Sequence, residues 1–222
     1  MKKTMILAAA LTIICGTANA QTSEYYNTKH EVGVAIGSGA TSEILSGLAD
    51  MTEIWASALV TTMGTMGAYT GTISYGDESY FPTISAEYYY HVNKVIGLGG
   101  IVAFNGLTRD MYGTMRDNIN GHESKEYMGK AKRLNYSVMP SMKIDWLRRQ
   151  HIGLYSKVAL GVTFMYECQK ADDGDDFTDT DPVFNFHASL IGFEGGNEHI
   201  RGFAELGMGE QGILLAGLRY KF

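Results

Sequence analysis

The residues best equipped for chemistry in this 222-residue chain lie in two short stretches. His187-Ala188-Ser189 sets an imidazole two positions from a hydroxyl, and Glu194 follows closely; base, nucleophile and acid are the parts of acyl transfer. Residues two apart on a strand share a face, so His187 and Ser189 are placed to hydrogen-bond each other. That bond inside a packed interior is the expected arrangement. The second stretch, 172–181, crowds Asp172, Asp173, Asp175, Asp176, Asp179 and Asp181 together, and hard divalent cations take such oxygen ligands. It lacks the sixth-position glycine and twelfth-position glutamate of a calcium-binding loop, so a solvated loop is expected. No catalytic residue, metal ligand or cofactor site is assigned, and the chain is read as non-enzymatic.

The elements that must hold these residues are strands. Gly 27 and Tyr 14 with only Pro 3 favour many strands and turns, and the length suits one domain. Residues 1–20 read as a secretory signal: Lys2 and Lys3, then an apolar run from Met5 to Cys15, then the cleavage site Ala18-Asn19-Ala20. The folded domain is therefore expected over 21–222. Losing Lys2 and Lys3, with no acid, takes the net charge from −6 to −8. A chain so acidic is not expected to bind nucleic acid. Cys168 is then the only cysteine, which excludes an intramolecular disulfide.

Runs of period two between turn residues predict eight strands, at 30–37, 83–92, 95–106, 133–146, 151–166, 183–193, 199–208 and 213–222. In each, the apolar residues fall on even numbers, as in Val32-x-Val34-x-Ile36 and Ile152-x-Leu154, and the odd positions carry the charges. Three connections are tight, at Asn93-Lys94, Arg148-Arg149 and Gly195-Gly196-Asn197. Three are long, at 38–82, 107–132 and 167–182, and the last, Gly209-Glu210-Gln211, is short. Short turns at one end and long loops at the other are the pattern of an antiparallel up-and-down transmembrane barrel, with the long loops outside. Aromatics collect near both strand ends, as two interfacial girdles would require. Eight strands leave a lumen that side chains fill. Glu87, Lys143, Asp145, Lys157, Arg201 and Glu205 share the inward parity and are expected to form an interior polar network, the three bases pairing with the three acids. A soluble secreted barrel of the lipocalin kind, with its apolar face turned inward around a ligand, is the alternative.

Within the first long connection, Ile44, Leu48, Met51, Trp55 and Leu59 repeat at the spacing of one helical face. An amphipathic helix over 41–63 is expected, with Thr41 or Ser42 as N-cap, lying on lipid, lidding the mouth, or packed against other loop residues. A short strand at 69–75 would raise the count to ten.

The closing stretch Gly212–Phe222 alternates Leu214, Ala216, Leu218, Tyr220 and Phe222 on one face and ends on an aromatic. It resembles the terminal strand of outer-membrane β-barrel proteins, the small class that includes OmpA-, OmpX- and OmpW-like barrels. The resemblance rests on architecture and on this strand. It implies a Gram-negative outer membrane, a sorting and insertion signal at those five residues, and lipids and lipopolysaccharide as surroundings. It also implies periplasmic chaperones and the barrel-insertion machinery as partners in assembly. The function expected is an anchor whose outer loops contact the envelope or the outside; the alternative within the class is a narrow, porin-like OmpW-type channel for small hydrophobic molecules.

Overall fold

A computed structural model describes residues 28–171 and 177–222. The expected signal segment, and Asp172, Asp173, Asp175 and Asp176 of the acidic run, lie outside those residues. The described residues are all-β apart from one helix: β1 (His30–Ser38), α1 (Thr41–Gly64), β2 (Tyr69–His91), β3 (Ile96–Asp117), β4 (Glu123–Arg148), β5 (Ile152–Ala171), β6 (Phe177–Gly196), β7 (Ile200–Gly209) and β8 (Leu214–Lys221). Each strand pairs antiparallel with the next. β1 closes on β8 in a register from Glu31 opposite Lys221 to Ser38 opposite Leu214, so eight strands form one ring. Among the described residues no helix is long and apolar enough to cross a membrane.

Strand length divides the ring into two sides. β1, β7 and β8 span 9, 10 and 8 residues, whereas β2 to β6 run to between 20 and 26. Of the connections expected as long loops, 107–132 and 167–182 are thus mostly strand, and 38–82 is α1 followed by the outer part of β2. β3 and β4 stay paired out to Arg116 opposite Glu123, and β5 and β6 out to Gln169 opposite Phe177. The stretch expected as a separate strand at 69–75 is the outer part of β2 and pairs with β3 throughout, so the count stays at eight. Hydrogen bonding between neighbours continued where the apolar alternation that marks a belt had ended, and alternation was the feature read.

The even-numbered apolar side chains point out of the ring. Val34, Val102, Val138, Leu160, Leu206 and Leu218 are all exposed, and Leu190 reaches 73%. Odd-numbered neighbours point in and are buried, including Glu31, Glu87, Lys143, Lys157 and Arg219. Two β-bulges reverse this order. β4 inserts an extra residue between Asp145 and Leu147 against β5, and β6 inserts one between Ser189 and Ile191 against β7. A strand's side chains alternate faces, so a single insertion exchanges them. Beyond the bulges Ile191 and Phe193 turn outward, and the even-numbered Arg148 and Glu194 turn into the lumen.

The helix begins at Thr41, as expected, but its cap differs. Ala40 is its N-cap, and the Ala40 amide donates to the Glu43 carboxylate at 3.2 Å. Neither Thr41 nor Ser42 caps it from within.

Candidate functional site

The lumen is layered. At the end of the short turns lies a cluster of ions, all nearly or fully buried. Lys157 lies 2.8 Å from both Glu87 and Glu205, and Lys143 sits 2.7 Å from Glu31 and 3.2 Å from Asp145. Arg219 donates to Glu87 and, at 2.7 Å, to Glu194. Lys221 bonds Glu194 and lies 2.9 Å from Glu31, and Arg148 lies 3.3 Å from Glu31. Of the six residues expected in this network, all six are buried in it. Lys143 meets Asp145, and Lys157 meets Glu87 and Glu205. Arg201 meets none of the three expected acids: its guanidinium donates to Glu194 at 2.7 Å and to the carbonyls of Arg149 and Gln150. Glu194 and Arg148 escaped the sequence reading because only the bulges carry them inside. The available signal was a pair of adjoining apolar residues at each bulge, Trp146-Leu147 and Leu190-Ile191.

Among the described residues one group has the spacing of a metal site: Glu31, His91 and Asp145 bring ligand atoms within 4.8 Å of one another. Lys143 already lies against both carboxylates, and Lys221 and Arg148 lie against Glu31. A dication there would have to displace buried cations, so the cluster fits a closed ion network rather than a metal centre.

His187 and Ser189 do meet, with Nε2 3.0 Å from Oγ. The Gln211 amide donates to His187 Nδ1, which leaves the ring proton on Nε2, so the imidazole donates to the serine. Ser189 in turn donates its own proton to Glu205. Nucleophile activation requires the reverse, a free imidazole nitrogen accepting the hydroxyl proton. Glu194, the acid considered for this pair, is engaged with Arg201, Arg219 and Lys221 instead. All three groups of the chain His187, Ser189, Glu205 are buried in the lumen, and they act as a structural strut.

Above a small apolar layer of Ile101, Met139 and Ala159 lies a polar layer in which uncharged side chains surround one carboxylate. Glu210, fully buried, accepts from Asn185 at 2.6 Å, Ser42 Oγ at 2.7 Å, Ser137 at 3.1 Å, Asn105 at 3.3 Å and the Ser42 amide at 3.1 Å. Among the described residues no cation pairs with it. Its charge sits at the N-terminus of α1, where unpaired amides and the helix dipole favour an anion. Glu210 reaches this place because the β7–β8 turn folds into the mouth. Gly209 and Gly212 flank it at φ +134° and +110°, and a Cβ on either would overlap backbone of β6 or β1. The sequence reading registered this turn as a short connection; the paired glycines around Glu210-Gln211 were the available signal.

Further up, α1 is tied down by its polar side. Arg109 donates to both oxygens of Asp50 and stacks on Tyr75 at 3.5 Å, and Arg133 bridges Asp50 and Glu167. Glu53 accepts from Tyr75, and Thr62 bonds Thr70. The apolar face of Ile44, Leu48, Met51, Trp55 and Leu59 is exposed. α1 packs by its polar side against β2, β3 and β4 rather than against other loop residues.

The five residues expected as a terminal signal lie on β8 and just past it. Leu214, Leu218, Tyr220 and Phe222 are exposed on the outer face, and Phe222 stacks on His30 and Tyr220 at centroid distances of 5.3 and 5.7 Å. Neither protein-family models nor curated proteins match this chain.

Proposed function

We propose that the chain is an integral outer-membrane protein of the small OmpA/OmpX/OmpW-like kind, non-enzymatic, whose ring of strands is an anchor and whose tall side carries contacts outside the membrane. One observation carries this reading: the apolar side chains face outward around the ring while the ions face inward. Transfer of such a surface to hydrocarbon is favourable, and a closed ring leaves no strand edge unpaired there. The short strands agree in size, since about 9–11 tilted residues cross a bilayer. β2 to β6 then extend well past the hydrocarbon and hold α1 above it. The packed ion layer weighs against the narrow-channel alternative, and the outward apolar face weighs against a soluble ligand-binding barrel.

The decisive measurement is electrophoretic mobility of the outer-membrane fraction in SDS with and without boiling. The expected result is a heat-dependent shift of this chain. Recovery in the soluble fraction with no shift would refute the proposal.

A further inference from the structure

The outer face of β2, β3 and β4 carries two hollows that meet at Phe104. The lower, of about 370 Å³, is almost wholly apolar and is lined by Val34, Ile84, Ala86, Val102 and Val138. The upper, of about 270 Å³, ends in Ser79, Tyr80, Thr108 and Lys132. The depression has a structural cause. Pairing of β2 with β3 is irregular between Gly76 and Ser79 and again between Phe81 and Ile84, around Pro82, and Gly106 and Ala86 present almost no side chain outward. Phe81, Phe104 and Tyr136 cross the slot as an aromatic row, with centroids 5.5 and 5.1 Å apart.

Charge is distributed unevenly along it. Of the acids on this face, Glu78 accepts from the Tyr80 hydroxyl, and Asp110 lies 3.7 Å from Lys130. Lys130 remains 62% exposed. Lys132, one outward position nearer the slot, has no ion-pair partner among the described residues. From Thr108 to Val102 the slot follows β3 for roughly 20 Å, which for a strand tilted by about 40° is a depth of about 15 Å, half of the hydrocarbon thickness. An apolar trough with an aromatic waist and ammonium groups at its outer end matches a phosphate-bearing amphiphile. We propose that the slot seats one phosphorylated lipid of the outer leaflet, its acyl chain below Phe104 and its phosphate at Lys132 and Lys130. This site rests on the membrane reading above.

The test uses the folded chain in detergent micelles, with its heat-dependent mobility checked first, and native mass spectrometry against lipid A bearing two phosphates. Its dephosphorylated counterpart is the comparison and inorganic phosphate the competitor. The phosphorylated lipid should be retained preferentially, and Lys130→Gln with Lys132→Gln should weaken it by about thirtyfold, as the loss of two near-surface lysine charges implies. Ala86→Phe, which fills the lower hollow, should weaken both lipids alike while the mobility shift persists. Equal retention of the two lipids, or an unaffected lysine variant, would overturn the proposal, as would displacement by inorganic phosphate alone. A wild-type chain with no mobility shift would instead overturn the membrane reading, and the lipid site with it.

Discussion

Glu194 is one of two hubs of the lumen: Arg201, Arg219, Lys221 and Lys143 converge on it, as Lys143, Arg148, Arg219 and Lys221 do on Glu31. Removing one member of a buried ion group leaves the others desolvated without compensation, which typically costs about 3–5 kcal/mol. Glu194→Ala is therefore expected to lower unfolding free energy by that order in urea titrations of the micelle-bound protein, while Arg116→Ala, on an exposed position, stays within about 0.5 kcal/mol. Equal midpoints for the two variants would show that the network is not a stabilising unit. The residue scale is also where sequence reading was weakest. Odd parity along β2, β4, β5 and β7 made Glu87, Lys143, Lys157 and Glu205 legible as inward charges. It did not make Glu194 or Arg148 so, because each lies past a bulge, and the only trace of the inversion is a pair of adjoining apolar residues, Trp146-Leu147 and Leu190-Ile191.

At the scale of the element, α1 illustrates how a correct periodicity can mislead about orientation. Spacing of Ile44, Leu48, Met51, Trp55 and Leu59 specified a helix and its apolar face, and the helix is there. What the spacing does not encode is which face meets the protein, and here specific bonds outweigh the apolar stripe. Arg109 and Asp50 form the strongest of these, a two-pronged charged contact. A double-mutant cycle with Asp50→Ala and Arg109→Ala should return a coupling on the order of 1.5–3 kcal/mol, read from protection of α1 amides in hydrogen exchange. Additive losses would mean the contact is incidental. A second expectation concerns pH. Burial, with Glu210 adding like charge, raises the Glu43 carboxyl above its ordinary value of 4.5. A group whose pKa is raised by docking favours the docked state when protonated, so that contribution is present below 4.5 and is lost as pH rises through the docked value. Protection of α1 should therefore fall as pH rises from about 4.5 toward neutrality, and Glu43→Gln should flatten the profile. A wild-type profile already flat would remove Glu43 from the account.

At the scale of the whole molecule, the ring count, the antiparallel order and the outward apolar face were all legible, because all three follow from one period-two pattern. The heights of the two sides were not, since strand pairing above the belt rests on backbone bonds and mixed side chains. Phe222 closes the pattern on the outer surface, and deleting it is expected to reduce the amount of heat-shifting protein in the outer membrane; wild-type amounts would exclude a role for that terminus in assembly. The contact between Ser42 and Glu210 has a consequence in time. The two residues are 168 positions apart, one beside the first strand and the other in the turn before the last. The Glu210 seat for the N-terminus of α1 does not exist until the final hairpin is in place, so that end of the helix locks only after closure. Once locked, it ties the first strand to the last turn across the seam where the ring would reopen, and so slows unfolding more than it speeds folding.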